Sequence, residues 1–202
     1  LLAAASYLSS IDKTVAGYGH MLAALDATLF QDMAQDNRRQ LGVLEASLDK
    51  QAIAAGASAI NPIWAIAHQF KYDAHFLYFY NARTHRLDSY PDWQQPEGYR
   101  AQARPWYQTL SGEGDDLVWF GPYPEFDSAG EVLTLIKRVK DDEGQLLGLL
   151  MVDMSFSALQ GALHRAVGED PVALYITERK GGKLVVGHNL SLLPLRLERE
   201  TQ

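Results

Sequence analysis

Three apolar segments separated by short polar loops constrain the fold of this 202-residue chain most strongly. Their residue types and spacing predict strands at Leu117–Tyr123, Glu131–Val139 and Leu146–Met154. The last two are joined by a polar loop, residues 140–145, in which Gly144 can supply the positive φ of a hairpin turn. The segments therefore predict an antiparallel sheet.

The N-terminal quarter of the chain lacks proline as far as Gln51 and predicts a long helix. Its apolar residues recur at alternating steps of three and four, as in a heptad repeat, at Leu1, Ala4, Leu8, Ile11, Val15, Tyr18, Leu22, Leu25 and Leu29. The pattern breaks at Asp32, and a second stripe follows at Leu41, Leu44 and Leu48. Two interpretations stay open, an amphipathic helix packed on its own domain or a coiled-coil-like helix that pairs two subunits.

Further elements are predicted on both sides of the three strands. In chain order they are a helix at Ala52–Phe70 broken at Pro62, strands at Phe76–Tyr80 and Leu87–Tyr90, a short helix at Trp106–Leu110, a helix at Ser155–Val167, and a hairpin of Val172–Thr177 with Lys183–His188. Helices interspersed with an antiparallel sheet define the α+β class, which is the fold class we expect.

Composition excludes several classes of protein. Hydrophobic residues make up 47% and charged residues 21% of the chain, which is typical of a globular protein rather than a disordered one. The net charge of −7 and the absence of a basic stripe argue against nucleic-acid binding. With no cysteine, the chain can hold neither disulfides nor cysteine-ligated zinc, and it has no catalytic thiol.

Membrane and targeting signals are missing from the sequence. No apolar run approaches the roughly 18 residues that a transmembrane helix needs. The chain begins at Leu1 without an initiator methionine or a signal-like segment. We therefore expect it to be a piece of a longer protein, with the signal or anchor removed.

Motifs for catalysis or metal binding are also missing. The histidines have no metal-ligand spacing, at His20, His68, His75, His85, His164 and His188. The sequence has no G-x-S-x-G elbow and no phosphate-binding glycine loop in the right context. We therefore expect no enzyme activity, no metal site and no cofactor.

One segment concentrates groups that can bind a carboxylate. Arg104 precedes Pro105, with Trp106 and Tyr107 directly after, so a forked cation, an indole N–H and a phenol lie close together. Asp153 ends the apolar strand that begins at Leu146, where desolvation would demand a partner. Arg104 and Asp153 are therefore candidate binding residues of opposite charge.

The order of these features resembles the double Cache (dCache, PAS-like) sensor domains, the extracytoplasmic modules of bacterial transmembrane receptors. The resemblance rests on the long N-terminal helix, Arg104-Pro105-Trp106-Tyr107, Gly121-Pro122-Tyr123, and the strand pair that ends at Asp153. It implies a helical region at 1–70, a membrane-distal PAS-like ligand-binding module at 71–168, and a partial membrane-proximal module at 169–202. The long helix would pack on the sheet.

The same resemblance implies roles for individual residues. An amino-acid-binding subset of these domains carries a signature that Tyr99, Arg104, Trp106, Tyr123 and Asp153 match. Tyr99, Arg104 and Trp106 would then hold the ligand carboxylate, and Tyr123 and Asp153 its ammonium. Three alternatives stay open: an amino acid, another small ligand, or a structural role in which Arg104 pairs with Asp153 or Asp92.

The function implied is a periplasmic small-molecule sensor of an inner-membrane signalling protein. An amino acid or a carboxylate would bind between the sheet and the loop around Arg104, and the N-terminal helix would form a homodimer and carry the signal. Diguanylate cyclase, histidine kinase and chemoreceptor outputs all accompany such modules, and the cyclase is the output we favour. The rival hypothesis is a structural dimerisation module that senses a periplasmic protein partner.

Overall fold

The structure is a computed structural model, and it describes residues 2–6, 32, 34–71, 75–112, 115–126, 130–155, 174–178 and 184–188. Its contacts divide the chain into two compact units. We call Ala34–Ser155 the central unit, and Leu1–Met33 together with Phe156–Gln202 the split unit. Each unit is described by itself below.

The central unit is built on a sheet of five antiparallel strands, β2 (Leu77–Asn81), β3 (Leu87–Tyr90), β4 (Leu117–Pro124), β5 (Glu131–Lys140) and β6 (Leu146–Ser155). Their order in the sheet is β3-β2-β6-β5-β4. The three longest strands match the three segments from which the sheet was predicted, each to within one residue at either end. The antiparallel α+β fold is confirmed.

Three helices cover one face of this sheet, which we call the helix face. They are α1 (residues 34–46), α2 (Lys50–Ala54) and α3 (Pro62–Gln69). Buried side chains from the two layers form one hydrophobic cluster, with Leu41, Leu44, Ile53 and Trp64 from the helices and Leu77, Phe79, Leu135, Leu150 and Val152 from the strands. For the second apolar stripe, the structure therefore supports the interpretation of a helix packed on its own domain.

Pro62 begins α3 rather than interrupting one helix. The side chain of Asn61 accepts a hydrogen bond from the Ile63 backbone N–H, which makes Asn61 the N-cap of α3. Proline is well suited to the first turn because its missing N–H has no partner there. Of the predicted helix Ala52–Phe70, the first three residues are the end of α2 and Pro62–Gln69 is α3. The fresh start at Pro62 is confirmed, but residues 55–61 before it are not helical.

The opposite face of the sheet, which we call the cavity face, is covered by the segment between β3 and β4. This segment contains two 3₁₀ helices, Ala101–Ala103 and Pro105–Ser111, where the sequence predicted a loop and a short helix. Ala101 and Trp106 are buried against the strands, in a cluster with Tyr80, Ile136, Leu149 and Met151. The sheet therefore separates two hydrophobic clusters.

The split unit contains a sheet of three antiparallel strands, β1 (Leu2–Ser6), β7 (Leu174–Glu178) and β8 (Leu184–His188). The antiparallel pairing of β7 with β8 agrees with the predicted hairpin. The prediction of a helix that begins at Leu1 is wrong, because Leu2–Ser6 is a strand that pairs with β7. An alanine-rich segment has no strong strand propensity, so it is the pairing with β7 that makes it a strand.

Several predictions fall outside the described residues. These are the heptad positions from Leu8 to Leu29, the homodimer that they would form, and the helix at Ser155–Val167 beyond its first residue. The division of the chain at 1–70, 71–168 and 169–202 stays a prediction. Within the described residues, no helix combines the length and the apolar character needed to cross a bilayer.

Candidate functional site

A bulge in β4 determines which face of the sheet Tyr123 occupies. Val118 and Phe120 pack on the cavity face and Trp119 on the helix face, so regular alternation would put Tyr123 with Trp119. Phe120 instead pairs with Thr134 and Tyr123 pairs with Val132, so a step of three residues on β4 lies opposite a step of two residues on β5. The extra residue moves Tyr123 to the cavity face, where it is buried.

Gly121 makes this bulge possible. Its φ of 121° lies in a region of backbone conformation that residues with a Cβ atom rarely adopt. A Cβ atom at this position would lie 2.7 Å from the Val132 carbonyl oxygen of the neighbouring strand. The motif Gly121-Pro122-Tyr123 therefore has a geometric function, because it moves the tyrosine to the face that carries the cavity.

A small cavity of about 60 Å³ lies on the cavity face, several times the volume that one water molecule requires. All five residues predicted from the sequence line it, namely Tyr99, Arg104, Trp106, Tyr123 and Asp153. The remaining lining residues are mostly aromatic or aliphatic, namely Phe76, Tyr78, Leu87, Trp93, Glu125, Phe126, Val132 and Met151. The structure thus brings the five predicted residues to one place.

A chain of short hydrogen bonds connects the buried polar groups of the cavity. The Tyr123 hydroxyl lies 2.6 Å from Thr134 Oγ1, and Thr134 Oγ1 donates to Asp153 Oδ1 at 2.5 Å. Because the threonine has one hydroxyl proton and gives it to the carboxylate, the Tyr123 hydroxyl is the donor to Thr134. Among the described residues, no hydrogen bond or ion pair reaches the other oxygen, Asp153 Oδ2.

Burial dominates the electrostatics of Asp153. Desolvation raises the pKa of its carboxyl to about 6, against the hydrogen bond from Thr134 and the positive charges of His75 and Lys71, which lower it, while Glu125 raises it. The side chain is buried, and within the described residues its carboxyl forms no salt bridge. Such a group gains free energy from any cation that enters the cavity.

Arg104 supplies the positive charge of the cavity wall and is half-buried. Its Nη2 donates to the Pro124 carbonyl oxygen at 2.6 Å, and its guanidinium lies 5.6 Å from the centre of the Tyr123 ring and 5.7 Å from that of Phe126. Within the described residues, Arg104 forms an ion pair with neither Asp153 nor Asp92. The two structural pairings left open by the sequence are therefore not formed.

Aromatic rings form the rest of the wall. The Tyr99 ring meets Trp93 edge-on at 4.8 Å and Phe126 at 5.0 Å between centroids. Burial raises the pKa of Tyr99 to about 12, although Arg104 lowers it, so the phenol keeps its proton and remains a donor at neutral pH. Burial likewise raises the pKa of Tyr78 and Tyr123 well above the usual range.

Sequence reasoning missed three polar members of the site, Thr134, Tyr78 and Glu125. Thr134 interrupts the apolar run of β5 and pairs directly with Asp153 in the register of β5 and β6, so only the register reveals it. Glu125 lines the cavity, and its Oε1 lies 2.5 Å from Nε2 of His75. No group of three or more His, Asp or Glu residues within the described ranges could hold a metal ion.

Comparison with known proteins agrees with this architecture, although no family model matches the chain. Two methyl-accepting chemotaxis proteins of Bacillus subtilis (strain 168) align with part of it. McpC is 27% identical over 77 residues, which is 38% of this chain and 12% of McpC. McpB is 29% identical over 90 residues, which is 45% of this chain and 13% of McpB. The aligned part is thus a small fraction of either relative.

Solved structures match most of the chain. The ligand-binding domain of the amino acid chemoreceptor PctC from Pseudomonas aeruginosa PAO1, in complex with GABA, aligns with a TM-score of 0.63 at 21% identity, over 87% of this chain and 77% of PctC. The ligand-binding domain of the Campylobacter jejuni chemoreceptor Tlp3, in complex with 4-methylisoleucine, aligns with a TM-score of 0.62 at 19% identity, over 87% of this chain and 70% of the Tlp3 chain. The ligand-binding domain of the Pseudomonas fluorescens chemoreceptor CtaA, in complex with L-serine, aligns with a TM-score of 0.53 at 18% identity, over 86% of this chain and 76% of the CtaA chain.

These matches establish the class of fold. The chain has the α+β fold of the Cache-type sensor domains, as the sequence resemblance implied. These three solved structures are ligand-binding domains of chemoreceptors, and at 18–21% identity they show that this chain shares their fold.

Proposed function

We propose that this chain is the extracytoplasmic sensor domain of a membrane-bound chemoreceptor and that it binds an amino acid in the cavity of the central unit. The observation that carries the proposal is that Asp153 and Arg104 line the same small cavity. Within the described residues, these two opposite charges do not form an ion pair with each other. A zwitterion between them would satisfy both charges at once.

Each end of an amino acid has suitable partners in the wall. Asp153 Oδ2, which accepts no hydrogen bond among the described residues, would accept from the ammonium, with the Tyr123 ring beside it. Arg104, the Trp106 indole N–H and the protonated Tyr99 hydroxyl would donate to the carboxylate. The neighbouring chemoreceptor domains were solved with GABA and L-serine, which carry the same two charged groups.

The output of the full-length protein is best supported as chemotaxis signalling. From the sequence alone, a diguanylate cyclase was the favoured output. Both curated relatives are methyl-accepting chemotaxis proteins and the solved neighbours are chemoreceptor domains, which favours the chemoreceptor alternative. Under this proposal the domain lies outside the cytoplasm, and the anchoring segments belong to the longer protein.

The first test is a thermal-shift screen of the purified chain against the twenty amino acids, GABA, simple amines and small carboxylates. An amino acid at about 100 times its Kd adds about 2.7 kcal/mol to the free energy of unfolding, which raises the Tm by several degrees. Simple amines and simple carboxylates each satisfy one charge, so we expect smaller shifts from them. A flat screen would contradict the amino-acid proposal and favour the hypothesis of a protein partner.

Two variants and two matched controls locate the site. We expect Arg104→Ala and Asp153→Asn to weaken binding of the amino acid by about tenfold or more, because a charge-assisted hydrogen bond contributes about 1.5–3 kcal/mol. Arg100→Ala and Asp142→Asn remove the same charges from exposed positions outside the cavity and should bind as the wild type does. Isothermal titration calorimetry measures all four, and equal losses in site variants and controls would place binding elsewhere.

A further inference from the structure

Thr134 is a fully buried hydroxyl within an apolar strand. Its neighbours along β5, Leu133 and Leu135, are both buried, and Leu135 belongs to the hydrophobic cluster of the helix face. Val132 and Ile136 belong to the cluster of the cavity face. Valine has the same shape and would fill this position without a polar group. The hydroxyl therefore has to be explained by the two groups to which it is hydrogen-bonded.

The direction of the protons explains what the hydroxyl does. With Asp153 ionised, Tyr123 donates to Thr134 and Thr134 donates to Asp153 Oδ1, so each donor in the chain is used once. Oδ1 thereby accepts one hydrogen bond, which fixes the orientation of the carboxylate. Oδ2, which accepts no hydrogen bond among the described residues, is the oxygen available to a cation in the cavity.

We propose that Thr134 is a positioning residue of the binding site, which holds the Asp153 carboxylate ionised and oriented with Oδ2 available to the cavity. The proposal rests on the proposed function, in which Asp153 receives the ammonium of an amino acid. Thr134 lines no part of the cavity, so it acts through Asp153 rather than on the ligand.

The environment of Asp153 makes this hydroxyl important. Desolvation disfavours the ionised carboxyl, and the Thr134 hydrogen bond is the largest effect in the opposite direction. The charged and titratable groups that face Asp153 from the surrounding elements are Lys71, His75, Tyr78, Tyr99, Tyr123 and Glu125, with Arg104 in the wall of the same cavity. A substitution at Thr134 keeps all of them, but Thr134→Val also removes the acceptor of the Tyr123 hydroxyl, so Thr134→Ser, which retains both hydrogen bonds, is the matched control.

The test that needs no ligand is an NMR titration of the aspartate carboxyl carbons in the full chain, with the Asp153 signal assigned through Asp153→Asn. In Thr134→Val, we expect the pKa of Asp153 to rise by about one unit, because a hydrogen bond to the charged form is lost. Thr134→Ser keeps the hydroxyl and should restore the wild-type pKa. Thr134→Ala, which is smaller and leaves room for relaxation, serves if the valine variant does not fold.

A binding experiment follows the same logic, with L-serine and GABA as the probes. Raising the carboxyl pKa from about 6 to about 7 lowers the ionised fraction about fivefold at pH 6 and hardly at all at pH 8. The loss of affinity in Thr134→Val should therefore be about fivefold larger at pH 6 than at pH 8, and absent in Thr134→Ser. A purely structural role would weaken binding equally at both pH values.

The outcomes of the two experiments separate this proposal from the proposed function. An unchanged Asp153 pKa in both Thr134→Val and Thr134→Ala would overturn the role of Thr134, whatever binds. A raised pKa in these variants, with no binding of either probe to the wild type, would support the positioning of Asp153 and count against an amino-acid site for these probes.

Discussion

We expect the charge of Asp153 to have opposite effects on stability and on the proposed binding of an amino acid. Its carboxyl is buried, and its pKa in the folded chain is about 6, above the ordinary value of 3.8. Between these two values the folded chain binds more protons than the unfolded chain, so the stability contributed by this group is present below about pH 4 and is lost as the pH rises through 6. At neutral pH the ionised group costs the ligand-free domain about 3 kcal/mol.

Replacing the charge should therefore stabilise the ligand-free protein. We expect Asp153→Asn, which keeps an acceptor for Thr134, to raise the Tm at pH 7.5 by about 6–12 °C, while it weakens amino acid binding by about tenfold or more. The difference from the wild type should grow between pH 4 and pH 6 and be constant above pH 7. Calorimetric scans at a series of pH values measure it, with Asp142→Asn as the exposed control. An equal difference at pH 4 and pH 7.5 would contradict the explanation.

At the scale of the element, the bulge in β4 connects a short motif to the site. Regular alternation would bury Tyr123 on the helix face, and the extra residue around Gly121 reverses this. The same strand thus contributes Trp119 to one hydrophobic cluster and Tyr123 to the cavity. A local irregularity of the backbone therefore decides which side chains line the cavity.

Gly121→Ala tests this role of the bulge. The added Cβ would lie 2.7 Å from the Val132 carbonyl oxygen at a φ unsuited to alanine, so we expect a loss of about 2–3 kcal/mol in the free energy of unfolding together with weaker amino acid binding. Gly42→Ala is the matched control, because this glycine has negative φ, open surroundings and a position inside α1, and alanine there should stabilise by about 1 kcal/mol. Urea unfolding measures both. A Gly121→Ala protein as stable as the wild type would show that the bulge tolerates a side chain.

At the scale of the whole molecule, the central unit contains both hydrophobic clusters and every residue that lines the cavity. Its sheet has the helix layer on one face and the 3₁₀ segment on the other, so both faces are covered from within Ala34–Ser155. A domain of this size can bury enough apolar surface to fold independently.

We therefore expect a protein comprising residues 34–155 to unfold cooperatively and to bind the same amino acid with a Kd within about threefold of that of the full chain. Thermal unfolding followed by circular dichroism and isothermal titration are the measurements. The variant Arg104→Ala in the same fragment should remove binding but keep the cooperative transition. A fragment that folds but does not bind would mean that the split unit takes part in recognition.

The sequence by itself determined the α+β class, the positions of the central strands, the two helices flanking Asn61 and the identity of five cavity residues. These features depend on local information. Apolar periodicity, a helix cap and a glycine in a hairpin act within a few residues, and the short motif around Arg104 resembled a known family. Local patterns such as these survive in any environment that buries the apolar residues.

Only the tertiary structure decided the rest. Leu2–Ser6 forms a strand because β7 pairs with it, Tyr123 reaches the cavity because β4 is bulged, and Thr134 belongs to the site because the register places it opposite Asp153. Each of these depends on which residues far apart in sequence become neighbours. Strand register and burial are properties of the whole sheet, and a one-residue change in the register of a strand in the central unit would move its side chains, such as Thr134, to the other face.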